Sequence, residues 1–227
     1  FSGASRPYYL APSYTWLLAA GGVAVEHWLT RRTHRWVSFA GAIALVGYVG
    51  LLAIGGLRAA PVVLPVLPEA TIAAYSMQTG AGRRVYDTQG IGLLPEFLGY
   101  MSGWNEFVDI VAGVHKQLPD ADRDATVILA VSYQLAAAID VLGPSRGLPR
   151  ASSAHNNYAL WGPHGSWDRA AIVVGMSESR LRTWFHKVTR VAETRCDYCR
   201  MRPAPVWLVE GLKVTPAELW EHLTYYE

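Results

Sequence analysis

Residues 155–164 read His155-Asn156-Asn157-Tyr158-Ala159-Leu160-Trp161-Gly162-Pro163-His164, the densest concentration of chemically versatile side chains in the sequence. An imidazole, two amides, two aromatic rings and a sharp turn suit a hydroxylated, polar ligand. The alternative is a loop whose amides satisfy its own backbone and whose Trp161 plugs the core. His155 has no neighbouring nucleophile with which to form an acid–base pair.

A second cluster, Arg6-Pro7-Tyr8-Tyr9-Leu10-Ala11-Pro12, stands at the start of an apolar stretch. One guanidinium with two phenols could clamp a phosphate, because Arg binds its oxygens in bidentate fashion. An interfacial anchor of Arg and Tyr, common on membrane helices, reads the same way. Cys196 and Cys199 are the only cysteines. Outside the cytoplasm such a pair tends to oxidise, which favours a small local disulfide. A thioredoxin-like redox site, a metal site and free thiols are the alternatives. Arg195, Arg200 and Arg202 crowd the pair and Pro203 follows, so the segment reads as a loop. Two cysteines without a clear His partner make a poor zinc site. No glycine-rich phosphate loop, His-Glu-x-x-His pattern or nucleophile elbow is present.

The elements that must position these residues fall into two regimes. Trp36 to Leu57 runs 22 residues without a charged side chain, between Arg35 and Arg58. At about 1.5 Å per residue this crosses a hydrocarbon layer of roughly 30 Å. Tyr8 to Val25 is also uncharged. Between the two lies Thr30-Arg31-Arg32-Thr33-His34-Arg35, a short basic loop of the kind that stays cytoplasmic. Its basic residues follow the first apolar run, which argues against a cleaved signal peptide. The expectation is therefore a hairpin of spans at about 8–28 and 36–57, with everything after Arg58 on the outer side. Phe1 begins abruptly beside a span, so the chain is expected to be the C-terminal piece of a longer membrane protein.

Charge is ordinary after Pro68, and the net +2 says little about partners. No basic stripe with interleaved aromatics suggests nucleic acid. Pro61 to Pro68 predicts a stiff extended exit, and Glu69–Gln78 a short helix. Apolar spacing predicts a helix over Trp104–Leu118, capped by Ser102 or Asn105. Ala125–Val131 and Ala170–Met176 are short continuous apolar runs, as in strands buried on both faces. Arg150–Ala154, Thr189–Thr194 and Pro205–Leu212 read as further strands. Helices are predicted over Gln134–Leu142, from Ser177 to about Lys187, and from Thr215-Pro216-Ala217-Glu218 onward. Alternating strands and helices predict a mostly parallel sheet. The fold class expected is a membrane α-helical hairpin (1–58), an exit segment and loop (59–102), and an extracytoplasmic α/β domain (103–227).

The two clusters resemble segments of bacterial membrane glycosyltransferases related to the dolichyl-phosphate-mannose–protein mannosyltransferases, of the multi-span glycosyltransferase C architecture. A Lys/Arg-Pro-x-Tyr-x-x-Pro segment is matched by Arg6, Pro7, Tyr9 and Pro12. An Asn-Tyr-Gly-Glu-Ala-x-Ala-Ile-Asp stretch corresponds to Ser132 through Asp140. A Gly-His-Asn-x-Tyr-x-Leu-Trp-Gly-Pro stretch corresponds to Ala154 through Pro163, and a Cys-x-Tyr-Cys pair to Cys196 through Cys199. The Gly-Glu of the second pattern is Gln134-Leu135 here. The resemblance implies transfer of a sugar from a polyprenyl-phosphate donor to a glycan, lipid or protein acceptor at the outer face of the inner membrane. It implies lipid-phosphate binding by Arg6 with Tyr8 or Tyr9, and acceptor contacts from His155, Asn156, Tyr158 and Trp161. The catalytic carboxylate belongs to an upstream loop, so neither Asp140 nor Asp168 fills that role. No cofactor is assigned; a divalent metal would belong to that upstream part as well. The rival expectation is a non-catalytic, membrane-anchored module that binds a glycan or a partner, and a third is a redox protein using Cys196 and Cys199.

Overall fold

A computed structural model describes residues 10–30, 35–80, 92–199 and 203–226. The chain divides into two compact units, 1–91 and 92–227.

The first unit is helical. Helix α1 spans Ala11–Thr30, α2 Arg35–Val63 and α3 Glu69–Thr79. Among the described residues one stretch, Gly41–Val63 within α2, is long and apolar enough to cross a membrane, with 23 residues and a mean hydropathy of 1.8. Large apolar side chains along it, among them Val46, Leu51 and Leu57, are exposed rather than packed. Helix α1 is interrupted by Pro12, Ser13, Thr15, Glu26 and His27 and does not reach the same apolarity, so a membrane hairpin is not established. The basic connector on which the orientation rests, 31–34, lies outside the described residues. The expected extended exit is partly helical: α2 continues through Pro61 to Val63. A proline this close to the helix end removes a single donor, and the turn still closes with Leu64 N–H donating to Ala60 O. Tyr75 of α3 donates its hydroxyl to Arg58 O, at 2.7 Å.

The second unit is an α/β domain. Short helices α4 (Glu96–Gly99) and α6 (Asp120–Arg123) flank α5 (Trp104–Lys116). Then come β1 (Val127–Ala130), α7 (Tyr133–Leu142), β2 (Ala151–Ser152), β3 (Ala171–Val174), α8 (Glu178–Trp184), β4 (Phe185–Glu193), β5 (Pro205–Leu212) and α9 (Pro216–Leu223). The sheet is five-stranded and mixed, in the order β2-β1-β3-β5-β4. Strands β1, β2 and β3 are parallel, whereas β5 runs antiparallel to both β3 and β4.

The sheet is thus parallel in one half only, against the expectation of a mostly parallel one. Residues 194–204 are too few for a crossover helix between β4 and β5, so the two strands return on each other as a hairpin. The helix predicted from Ser177 stops at Trp184, three residues early. Phe185, Val188 and Thr189 are residue types that favour strands, and β5 is there to pair with the segment.

Alternation along the parallel strands divides the core. Ile128 and Ala130 face a layer that includes Phe107, Val108 and Val111 of α5 and Ala136 and Ile139 of α7. Val127, Leu129 and Val173 face the other layer, with Leu181 of α8, Trp207 and Leu219 of α9. Every residue of β1 and β3 is buried, which is why both read as unbroken apolar runs. Helix α9 opens on the predicted cap: Thr215 accepts from Glu218 N–H, and the Glu218 carboxylate accepts from Thr215 N–H. That pairing holds the Glu218 carboxyl below the usual carboxylate range. Helix α5 does not use Ser102 or Asn105. Its N-cap is Gly103, in a left-handed conformation at φ 85°.

Candidate functional site

The carboxyl ends of β1 and β2 deliver the site. In open α/β sheets ligand crevices form there, because the loops that leave parallel strands gather at one edge. After β1 the chain passes Ser132 and enters α7 at Tyr133. After β2 it reaches His155 and the 3₁₀ turn Asn156–Trp161. Asn156 has φ 53°, the only positive φ at a non-glycine among the described residues. Asparagine tolerates that region better than most side chains.

The C-terminal segment closes the arrangement. Tyr225 forms a parallel bridge with His155. Its carbonyl accepts from Asn156 N–H at 2.9 Å, and its own N–H donates to Ala154 O at 3.1 Å. The Tyr225 hydroxyl reaches across to donate to Val131 O, at 3.2 Å. Trp220 of α9 donates its indole N–H to Ala159 O at 3.0 Å, tying the turn to the last helix.

Between these parts lies an open cleft of about 530 Å³ lined by Tyr133, Asn156, Asn157, Tyr158, Trp161 and Tyr226. That volume falls within the roughly 300–1,000 Å³ of small-molecule sites. Trp161 is 58% and Tyr226 64% exposed, so their ring faces remain open to a ligand. Trp161 meets Tyr158 edge to face, with ring centroids 4.4 Å apart.

Tyr158 is held from behind. It donates its hydroxyl to Asp140 Oδ2 at 2.5 Å, and Asp140 Oδ1 accepts from Ala151 N–H at 2.7 Å. Arg150 lies 4.0 Å from the same carboxylate. Burial, and then the bond to Asp140, push the Tyr158 phenol well above its ordinary range. Tyr158 is therefore a neutral donor already committed to Asp140. Asp140 is equally committed, and its work is to fix the 3₁₀ turn against the start of β2.

The expected contacts separate accordingly. Asn156, Tyr158 and Trp161 line the cleft. His155 does not: it is 6% exposed, stacked on Tyr225 at 4.4 Å and tilted against Tyr133 at 5.1 Å. It packs against one lining ring, Tyr133, and against Tyr225, which does not line the cleft. Asn157, the second amide of the 155–164 cluster, lines it too, and Tyr133 and Tyr226, which sequence did not single out as contacts, complete the lining. Tyr133 was within reach, since it immediately follows a strand whose carboxyl end must open on the same edge as β2. Tyr226 was not, because its place depends on a bridge between residues 70 apart, His155 and Tyr225.

Cys196 and Cys199 lie in the loop between β4 and β5 and are not joined by a disulfide in the structure. Cys199 N–H donates to Cys196 Sγ at 3.0 Å, a turn that holds the pair in place without a covalent bond. Both pack against Gly103 at the start of α5. A Cβ there would stand 2.6 Å from Cys196 Sγ and 2.9 Å from Cys199 Cβ. Glycine is thus required at 103 by the backbone angle and by the thiols together.

Arg6, Tyr8 and Tyr9 lie outside the described residues. Among the described residues no group of three or more His, Cys, Asp or Glu side chains could hold a metal ion. No protein-family model, curated protein or solved structure matches the chain.

Proposed function

We propose that this chain is the C-terminal portion of an integral-membrane glycosyltransferase of the inner membrane, with 92–227 as its extracytoplasmic domain. In this reading α1 and α2 are its last two membrane helices, joined by a cytoplasmic turn at 31–34. A sugar moves from a polyprenyl-phosphate donor to a glycan, lipid or protein acceptor. A carboxylate upstream of Phe1 takes the proton of the acceptor hydroxyl. The oxygen attacks the anomeric carbon, and the lipid phosphate departs with inversion. Arg6, with Tyr8 or Tyr9, stabilises the charge that develops on the departing phosphate, while the cleft faces the acceptor.

One observation supports this reading above the others. The two stretches of the outer domain that resemble such transferases, 132–140 and 154–163, are separate in sequence and meet in space. Tyr158 of the second bonds Asp140 of the first, and Tyr133 of the first lines one cleft with Asn156 and Trp161 of the second.

A second reading has its own support. None of the six lining side chains is a carboxylate, which suits a non-catalytic, membrane-anchored module that binds a glycan or a partner. The experiment separates the two. Membranes carrying the full-length protein are given a radiolabelled polyprenyl-phosphate sugar and an extracytoplasmic acceptor fraction. The transferase reading expects label in the acceptor and at least tenfold slower transfer for Arg6→Ala at unchanged membrane insertion. Absence of transfer with the parent protein leaves the binding module.

A further inference from the structure

We propose that the cleft at the carboxyl ends of β1 and β2 takes an uncharged saccharide and rejects anionic and cationic ligands. The inference deepens the reading of this cleft as the acceptor face and rests on it. Three features of the lining carry it.

The lining is electrically neutral. Tyr133, Asn156, Asn157, Tyr158, Trp161 and Tyr226 include no carboxylate, amine, guanidinium or imidazole. Behind Tyr158, Asp140 is partnered by Arg150 at 4.0 Å. A phosphate or carboxylate entering the cleft would lose hydration and meet no cation, at a cost that amides do not offset.

Four of the six lining residues are aromatic, and Trp161 and Tyr226 are more than half exposed. The faces of such rings carry negative charge density. They repel anions and attract the weakly positive C–H groups along one face of a sugar ring. The same faces would also draw a quaternary ammonium ion. The exposed amide of Asn157 decides against that ligand, since it has neither donor nor acceptor to pair with it, whereas each sugar hydroxyl is both.

The lining is also fixed before any ligand arrives. Asp140 holds Tyr158, the His155 ring lies between Tyr133 and Tyr225, and Trp220 anchors the turn. His155 and Asp140 are therefore positioning residues. A rigid aromatic wall with a few placed polar groups binds by shape and hydroxyl pattern rather than by charge.

The test is a glycan array probed with the full-length chain in lipid nanodiscs. The array carries neutral hexose-, pentose- and N-acetylhexosamine-terminated glycans beside uronate-, sialyl- and phosphate-terminated ones, and soluble choline serves as competitor. Binding is expected on neutral glycans only and is not displaced by choline. Trp161→Ala and Asn157→Ala, both at exposed positions where folding is not at stake, each weaken it at least tenfold. Trp161→Phe retains part of it. Absence of any neutral binder, equal binding of acidic glycans, displacement by choline or indifference to both substitutions each overturns the proposal. Glycan binding without sugar transfer would overturn the transferase reading and leave this inference standing; transfer without glycan binding would do the reverse.

Discussion

The two halves of the sheet solve the same burial problem in opposite ways. In the parallel half, β1 and β3 are covered on both faces by helices and every residue is buried. In the antiparallel half, most of β4 is exposed or half-buried. Its exposed side chains carry ion pairs, Lys187 with Glu210 and Arg190 with Glu193. Parallel strands need crossovers, so successive loops open at the same edge, and the cleft forms where those loops collect. A hairpin edge delivers no such gathering of loops. What it has instead is charge along its rim, which discourages pairing with another chain. The location of the site follows from the connectivity of one half, and the tolerance of the other half follows from its exposure.

The largest test of that contrast is Ile172→Ala in β3. Ile172 is fully buried, and truncating such a side chain costs about 2–5 kcal/mol, read as a lowered urea midpoint for the 92–227 unit. Gly103→Ala should come next. It forces a side chain into the left-handed region, worth about 1–3 kcal/mol, and against the Cys196 sulfur. Its signature is a lower Tm together with faster alkylation of Cys196 and Cys199. A parent-like Tm would show that the cysteine loop is not held by α5.

Alkaline pH probes the parallel half more gently. The Tyr158 phenol is raised in the folded state by burial and by Asp140. Its contribution is therefore complete below the ordinary phenol range near pH 10 and is lost as pH rises beyond it. Thermal denaturation between pH 9 and 11 should show a fall in Tm that is shallower in Tyr158→Phe; identical slopes would sever Tyr158 from its buried partner. The smallest effect is Lys187→Ala. The Lys187–Glu210 pair is 64% and 42% exposed, and such pairs are worth about 0–1 kcal/mol. A shift in urea midpoint as large as that of Ile172→Ala would erase the distinction between the halves.

The same contrast governs what was legible from sequence. Ala125–Val131 and Ala170–Met176 announce themselves because strands buried on both faces need no polar positions. The start of α9 was readable because a capping box is local to four residues. Strand β4 was partly hidden, since Phe185 to Lys187 extend a plausible helix until β5 pairs with them. The mixed character of the sheet was hidden too, because direction depends on which strands become neighbours. Of the cleft, Asn156, Tyr158 and Trp161 lie on one short turn and were visible together. The burial of His155 was not, because the rings that enclose it, Tyr133 and Tyr225, come from distant parts of the chain. Gly103 was invisible for the same reason: its need for glycine comes from thiols more than 90 residues later.

The bridge between His155 and Tyr225 also has a consequence in time. As the polypeptide is made from its N-terminus, β1, β2 and the 3₁₀ turn emerge long before residues 224–226. Until then Val131 O has no phenol to accept from, Asn156 N–H has no carbonyl, and one wall of the cleft is missing. The cleft therefore cannot be complete until the segment at 224–226 has been made and has docked beside the turn.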